Sequence, residues 1–205
     1  MIGTLGVVVA GGRGSRLGLG TPKALVRVGG VTLLERALAT LVKVCDEVVV
    51  AAPEALDLPV PPAQRVPDLP EAQGPLSGLV AGLTSRPHRR ALALGIDFPL
   101  LGSSVLQGLL DRLGDRLAVV PAPFGIPQPL AAAYAGGAAP RLHSRLQAGE
   151  RSVTIAALSL DPLVLSDPEL MLLGPGPDSF LNVNTVSDLE NAERRLGAAT
   201  RVGRG

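Results

Sequence analysis

The stretch that decides the fold is Thr4-Leu5-Gly6-Val7-Val8-Val9-Ala10-Gly11-Gly12-Arg13-Gly14-Ser15-Arg16-Leu17-Gly18-Leu19-Gly20-Thr21-Pro22-Lys23. Leu5 to Ala10 is an apolar run rich in β-branched valine, the pattern of a strand buried on both faces. Glycine then recurs at positions 11, 12, 14, 18 and 20, interspersed with Arg13, Arg16 and Lys23. Glycine lets consecutive backbone N–H groups turn toward one ligand, and arginine and lysine supply charge for an anion with several oxygens. Taken alone, such a loop is equally a flexible surface segment with solvated charges. Its place at the exit of a buried strand favours a polyphosphate site.

Two known phosphate loops do not fit. A P-loop requires Gly-Lys followed by Ser or Thr, whereas Lys23 lies between Pro22 and Ala24. The dinucleotide fingerprint from Gly12 meets Gly14 and then Leu17 where its third glycine belongs. The stretch instead resembles the nucleotidylyltransferases built around Leu-x-Gly-Gly-x-x-x-Arg-Met-Gly-x-x-Lys. Val9-Ala10-Gly11-Gly12, Arg16-Leu17-Gly18 and Pro22-Lys23 carry the match. Within that superfamily it is most similar to the molybdenum cofactor guanylyltransferase family. The resemblance implies that Val9, Ala10, Gly11, Gly12 and Lys23 contact the nucleotide, and that Arg16 and Lys23 serve catalysis. Ala-Gly-Gly is the guanine-selective form, while Pro22 stands where the guanylyl enzymes often carry Asp and Pro-Lys is commoner in the cytidylyl branch. CTP therefore stays open as the alternative nucleotide.

Further along, strands and helices alternate. Apolar runs end at Ala51, Ile96, Val120 and Leu165, and helical patterns cover Thr32–Val44, Gly74–Thr84, Ser103–Leu113, Gly136–Gln147 and Thr185–Leu196. This spacing predicts a three-layer α/β/α sandwich, Rossmann-like, with a mainly parallel sheet of about seven strands. The sequence reads as one nucleotidyltransferase domain over residues 1–197, with 198–205 a disordered tail. Strand exits of such folds share one rim, where ligands bind.

Asp97 follows the apolar run Ala91–Ile96 and precedes Phe98-Pro99. A carboxylate there suits Mg²⁺, which takes one or two protein carboxylates and otherwise phosphate oxygens and water; as a bare turn residue before proline it would need no ligand. The family places a metal-binding, nucleotide-contacting aspartate in an Asp-x-Pro at this point, so the resemblance makes Asp97 the magnesium ligand. It likewise assigns Asp68, in Val66-Pro67-Asp68, and Gly74, in Gly74-Pro75-Leu76-Ser77-Gly78, to the nucleotide. A carboxylate can accept from the two N–H donors on one edge of guanine. The asparagine that the family carries after the second strand is replaced by Ala51 and Ala52.

In Asn182-Val183-Asn184-Thr185 the alternation puts both amides on one side of an extended segment, while Thr185 and Asp188 have helix-capping spacing. The resemblance gives Asn182 and Asn184, with Gln128 of Gln128-Pro129-Leu130, to the acceptor side.

Composition excludes several classes. A net charge of +1 and 2% aromatic residues leave little for a nucleic-acid surface or a stacking groove. Cys45 is the single cysteine, so neither an internal disulfide nor a multi-cysteine metal site can form. No apolar run reaches about 18 residues, and no signal-peptide pattern opens the chain, so a soluble cytoplasmic protein is expected. His88 and His143, and the cluster Arg86, His88, Arg89 and Arg90, read as solvated surface.

The resemblance implies transfer of GMP from GTP to molybdopterin, with release of pyrophosphate and Mg²⁺ as cofactor. The product would pass to molybdoenzyme apoproteins or their chaperones. A cytidylyl or sugar-phosphate nucleotidylyltransferase of the same fold, or a non-catalytic nucleotide-binding escort, are the alternatives.

Overall fold

A computed structural model describes residues 2–11, 18, 20–61, 64–69, 73–174 and 176–202. The expectations for Gly12 and Arg16 lie outside these residues, as do those for 203–205 of the tail.

The first strand, β1 (Ile2–Val9), is followed by the 3-10 turn Lys23–Leu25 and the two-residue strands β2 (Arg27–Val28) and β3 (Val31–Thr32), which pair antiparallel. Helix α1 (Leu33–Leu41) opens on a full capping box: the Glu35 N–H donates to Thr32 Oγ1 and the Thr32 N–H to Glu35 Oε2. There follow β4 (Glu47–Ala51), β5 (Arg65–Val66), α2 (Pro75–Thr84), β6 (His88–Gly95) and α3 (Ser103–Asp111). The chain continues through β7 (Ala118–Pro121), the 3-10 turn Pro123–Gly125, β8 (Ala131–Ala135), α4 (Ala138–Gln147), α5 (Val153–Leu158) and β9 (Leu163–Leu165). It ends with α6 (Asp167–Met171), the 3-10 turn Pro177–Phe180 and α7 (Val186–Val202).

Seven strands form one sheet in the order β5-β4-β1-β6-β8-β7-β9. All pairs are parallel except those of β8, which runs antiparallel to both β6 and β7. The sheet is buried on both sides. Val8 and Val50 pack with α1, α3 and α7, whereas Val7, Val9, Val49 and Ala51 pack with α2, α4 and α5. Small residues set the layer spacing: a Cβ on Gly82 of α2 would lie 2.2 Å from Val7 Cγ1, so the helix backbone rests directly on β1.

From β1 the chain steps outward to β4 and β5, then returns to place β6 on the other flank of β1. That reversal opens a crevice at the C-terminal ends of β1 and β6, the place where open α/β sheets bind ligands.

Several local expectations change. His88 is 8% exposed and begins β6; its Nδ1 lies 2.8 Å from the Arg86 carbonyl oxygen. The neighbouring arginines are engaged, Arg86 with Glu47 Oε1 at 2.9 Å and Arg90 with Thr4 Oγ1 at 2.9 Å. His88, Arg89 and Arg90 thus open a central strand, with His88 buried and the two arginines exposed, rather than forming a solvated loop. α3 starts at Ser103, with Gly102 at its N-cap, and ends at Asp111 rather than Leu113. α5 and α6 add two short helices whose capping serines, Ser152 and Ser166, were the available signals. α7 runs past Leu196 to Val202. Among the described residues no helix is long and apolar enough to cross a membrane.

Candidate active site

Strand register brings the rim together. Val9 pairs with Ala51 on one side and Gly95 on the other, so Gly11 and Asp97, each two residues further on, leave the sheet at the same height. The Ile96 N–H donates to the Val9 carbonyl and the Ala10 N–H to that of Ala51, which holds the three exits in line. Val9 and Ala10 are buried and contribute backbone, while Gly11 lines an open cleft.

Lys23, 8% exposed, returns to this rim from the 3-10 turn after the glycine loop. Its Nζ donates to Asn184 Oδ1 at 2.7 Å and lies 3.9 Å from Asp97 Oδ2. Residues far apart in the chain therefore meet at one ammonium. Burial raises the Asp97 carboxyl above the usual carboxylate range, with Lys23 opposing the shift. The Val183 N–H donates to the Asp97 carbonyl at 2.9 Å, which docks the Asn182–Asn184 segment against the β6 exit. Phe98 and Phe180 brace the same junction as an edge-to-face pair with centroids 6.4 Å apart. At the start of α7, Asp188 Oδ2 accepts from the N–H groups of Asn184 and Thr185, fixing Asn184 under Lys23.

Two cavities flank this centre. One, of about 790 Å³, is lined by Gly11, Glu54, Asp68, Gln73 and Gly74 among others. Among the described residues no donor reaches the buried Asp68 Oδ1, and burial raises its carboxyl pKa. A buried acceptor of this kind calls for a donor from a ligand. Gly78 allows the approach: a Cβ would stand 3.3 Å from Asp68 Oδ1. Gly74 has φ 111°, a conformation open to glycine, and ends the loop at the N-terminus of α2. The second cavity, of about 360 Å³, includes Gln128, Asn182 and Asn184, with Phe124, Ile126 and Arg195. Asn182 Oδ1 is likewise buried, with no donor among the described residues.

Residues 6–160 match the family described as MobA-like NTP transferase domain. The chain belongs to that family. Over nearly full length this MobA-like NTP transferase is 35% identical to a probable molybdenum cofactor guanylyltransferase of Chloroflexus aggregans, covering 94% of each chain. It is 32% identical to a molybdenum cofactor guanylyltransferase of Desulfosudis oleivorans, covering 97% of this chain and 96% of the other. Its fold is that of molybdopterin-guanine dinucleotide biosynthesis protein A from Archaeoglobus fulgidus, with a TM-score of 0.77 at 24% identity over 95% of this chain and 99% of that one.

Of the residues singled out from sequence, the structure brings Lys23, Asp97 and Asn184 into one cluster. It puts Gly11, Asp68 and Gly74 on one cavity and Gln128 and Asn182 on the other. Ala51 and Ala52 are fully buried and offer no side-chain hydrogen bond to a ligand. Glu54, Gln73 and Phe124 carried no motif and were not singled out; their position on the cavities depends on loop paths.

Gly95 is needed for the position of Asp97. A Cβ there would lie 2.4 Å from Asp97 Oδ1, with the Leu130 side chain behind it at 3.5 Å. Gly95→Ala must displace the carboxylate. Misplacement by about 1 Å can cost on the order of 10²-fold in rate, and a loss of about 10-fold or more in kcat, with the circular dichroism spectrum unchanged, is the expected result.

Proposed function

We propose that this MobA-like NTP transferase transfers GMP from GTP to the phosphate of molybdopterin, releasing pyrophosphate. The observation that carries the reading is the Lys23–Asp97–Asn184 cluster. It stands on the same rim as Gly11 of the larger cavity and reaches the smaller one through Asn184. A donor nucleotide and an acceptor phosphate seated in the two cavities would meet at one buried ammonium. The guanylyltransferases of similar sequence support the choice of substrates.

In the reaction an oxygen of the acceptor phosphate forms a bond to the α-phosphorus of GTP, and the bond from that phosphorus to the pyrophosphate oxygen breaks. The nucleophile is already an anion, so no side chain has to remove a proton. Positioning and charge supply the rate. Lys23 offsets the negative charge on the phosphate oxygens, and its burial keeps that charge from being screened by water. Asn184 and Asp97 hold the ammonium in place. Asp68 accepts from the guanine edge, with Gly74 allowing close backbone approach. Gly11, Gly12 and Arg16 hold the triphosphate, as their place in the sequence motif assigns. Gln128 and Asn182 hold the acceptor.

The site suits magnesium. Among the described residues no group of three or more His, Cys, Asp or Glu could hold a metal, yet Asp97 offers a hard oxygen whose side chain is 26% exposed at the rim. That is the arrangement for a Mg²⁺ held by one carboxylate and the substrate's phosphates. When bound, the metal supplies Lewis-acid neutralisation of phosphate charge.

The test is pyrophosphate release by the purified protein with molybdopterin, Mg²⁺ and each nucleoside triphosphate in turn. GTP is expected to give release that depends on molybdopterin. Release with CTP alone would reassign the base, a comparison worth making because Pro22 and the buried Ala52 depart from the guanylyl pattern. Nucleotide binding without release would identify a non-catalytic escort.

A further inference from the structure

The chain has four aromatic side chains, three phenylalanines and one tyrosine. Tyr134, Phe98 and Phe180 are buried in the core at 0%, 5% and 4% exposure. Phe124 is 66% exposed. It also has a left-handed backbone, φ 53° and ψ 30°, rare for a bulky residue. Neither water nor local geometry favours a phenylalanine here, and glycine or asparagine would fit the turn better.

The surrounding contacts nevertheless fix it. The Phe124 N–H donates to Asp167 Oδ1 at 2.8 Å, joining the turn to the start of α6. On either side, the Gly125 N–H donates to the Ala122 carbonyl and the Gln128 N–H to that of Pro121. Conformationally costly residues held in this way mark ligand clamps. Phe124 lines the smaller cavity together with Ile126, Gln128, Asn182 and Asn184. That cavity, of about 360 Å³, is the size of a small-molecule site. Its Asn184 end touches Lys23, where phosphate belongs, while its other parts offer an aromatic face, an aliphatic side chain and two side-chain amides. A ligand with a phosphate at one end and a flat, N–H-bearing ring system at the other matches this order.

Building on the guanylyltransfer reading, we propose that Phe124 is the stacking platform for the planar heterocycle of the acceptor, with Gln128 and Asn182 meeting the polar edge of that ring. Asp167 acts through the backbone of Phe124 and is a positioning residue. The ring thereby aligns the far end of the acceptor while Lys23 receives its phosphate. Selectivity for a pterin over a sugar phosphate follows, because a sugar has no π-face to stack.

The experiment compares wild type, Phe124→Gly and Phe124→Tyr. Glycine removes the ring and relieves the left-handed turn, so this variant keeps its fold; tyrosine keeps the ring. Two readouts are taken: equilibrium binding of molybdopterin, with the bound pterin quantified after oxidation to its fluorescent form, and steady-state pyrophosphate release. For Phe124→Gly, molybdopterin Kd and acceptor KM rise by about tenfold or more, the scale of losing an aromatic platform under a base. The KM for GTP, and kcat at saturating acceptor, stay within about twofold. Phe124→Tyr stays near wild type on all counts. If the wild-type protein works and Phe124→Gly binds molybdopterin equally well, the inference is wrong while the guanylyltransfer reading survives; a ring serving a protein partner would give this result. If the wild type neither binds molybdopterin nor releases pyrophosphate, the reading fails and the inference with it.

Discussion

Asp97→Asn is expected to lose pyrophosphate formation by at least about 100-fold, the scale of one missing electrostatic contact in a transition state, while its melting temperature rises. The two effects have one origin. Burial raises the Asp97 carboxyl above its ordinary value even with Lys23 beside it, so the folded protein binds that proton more tightly than the unfolded chain does. Stability from this group therefore falls as pH climbs from the unfolded carboxylate's value, about 3.9, through the raised folded value. Above both, the ionised side chain destabilises the fold, and asparagine removes that burden. The gap in melting temperature between variant and wild type, measured without nucleotide or metal, should be widest near neutral pH and close as pH drops below the folded value. An inactive variant that is also much less stable at pH 7.5 would mean that Asp97 is a structural residue. Near-normal turnover with Mg²⁺ would remove it from the site. Stability held back at a functional residue is the expected trade in an enzyme.

Lys23→Met carries the second large effect. It deletes the buried ammonium that Asn184 and Asp97 share, and kcat/KM should fall by about 10²- to 10³-fold. Lys23→Arg should not restore activity. The planar guanidinium is larger and cannot be placed as a point charge 2.7 Å from Asn184 Oδ1 without moving that segment. Methionine also leaves Asp97 as an ionised, partly buried carboxylate without its cation. Lys23→Met should therefore be less stable than wild type at pH 7.5, and Asp97→Asn should recover the loss in the double variant. A double-mutant cycle measures this coupling, and strictly additive stabilities would contradict the contact.

The parts of the molecule readable from sequence are those where one physical cause dominates. The valines of β1 and β4 and the alanine–leucine run of β6 are continuous apolar segments, which only a sheet covered on both faces accommodates. Strand exits then follow from register, which is why a parallel sheet puts Gly11 and Asp97 on one rim. The approach of Asn184 to Lys23 was less accessible, because the helices and turns between Gln128 and Leu181 decide where the last segment returns. α5 and α6 went unrecognised as their six and five residues are too few to establish a helical period. His88 looked like surface because Arg86, Arg89 and Arg90 surround it in sequence, yet it opens a central strand and its ring is buried, with Nδ1 against the Arg86 carbonyl, while Arg89 and Arg90 stay exposed. Phe124 was invisible to pattern reading, since a left-handed turn is a property of the backbone that glycine or asparagine would have announced and phenylalanine hides.

The most direct test of the account is a crystal structure of the protein with a non-hydrolysable GTP analogue and Mg²⁺. The account predicts the base against Asp68, the α-phosphate beside Lys23, and the metal on Asp97, with the cavity of Gln128 and Asn182 left for the acceptor. A nucleotide whose base lies in that second cavity, or whose phosphates make no contact with Lys23, would contradict it.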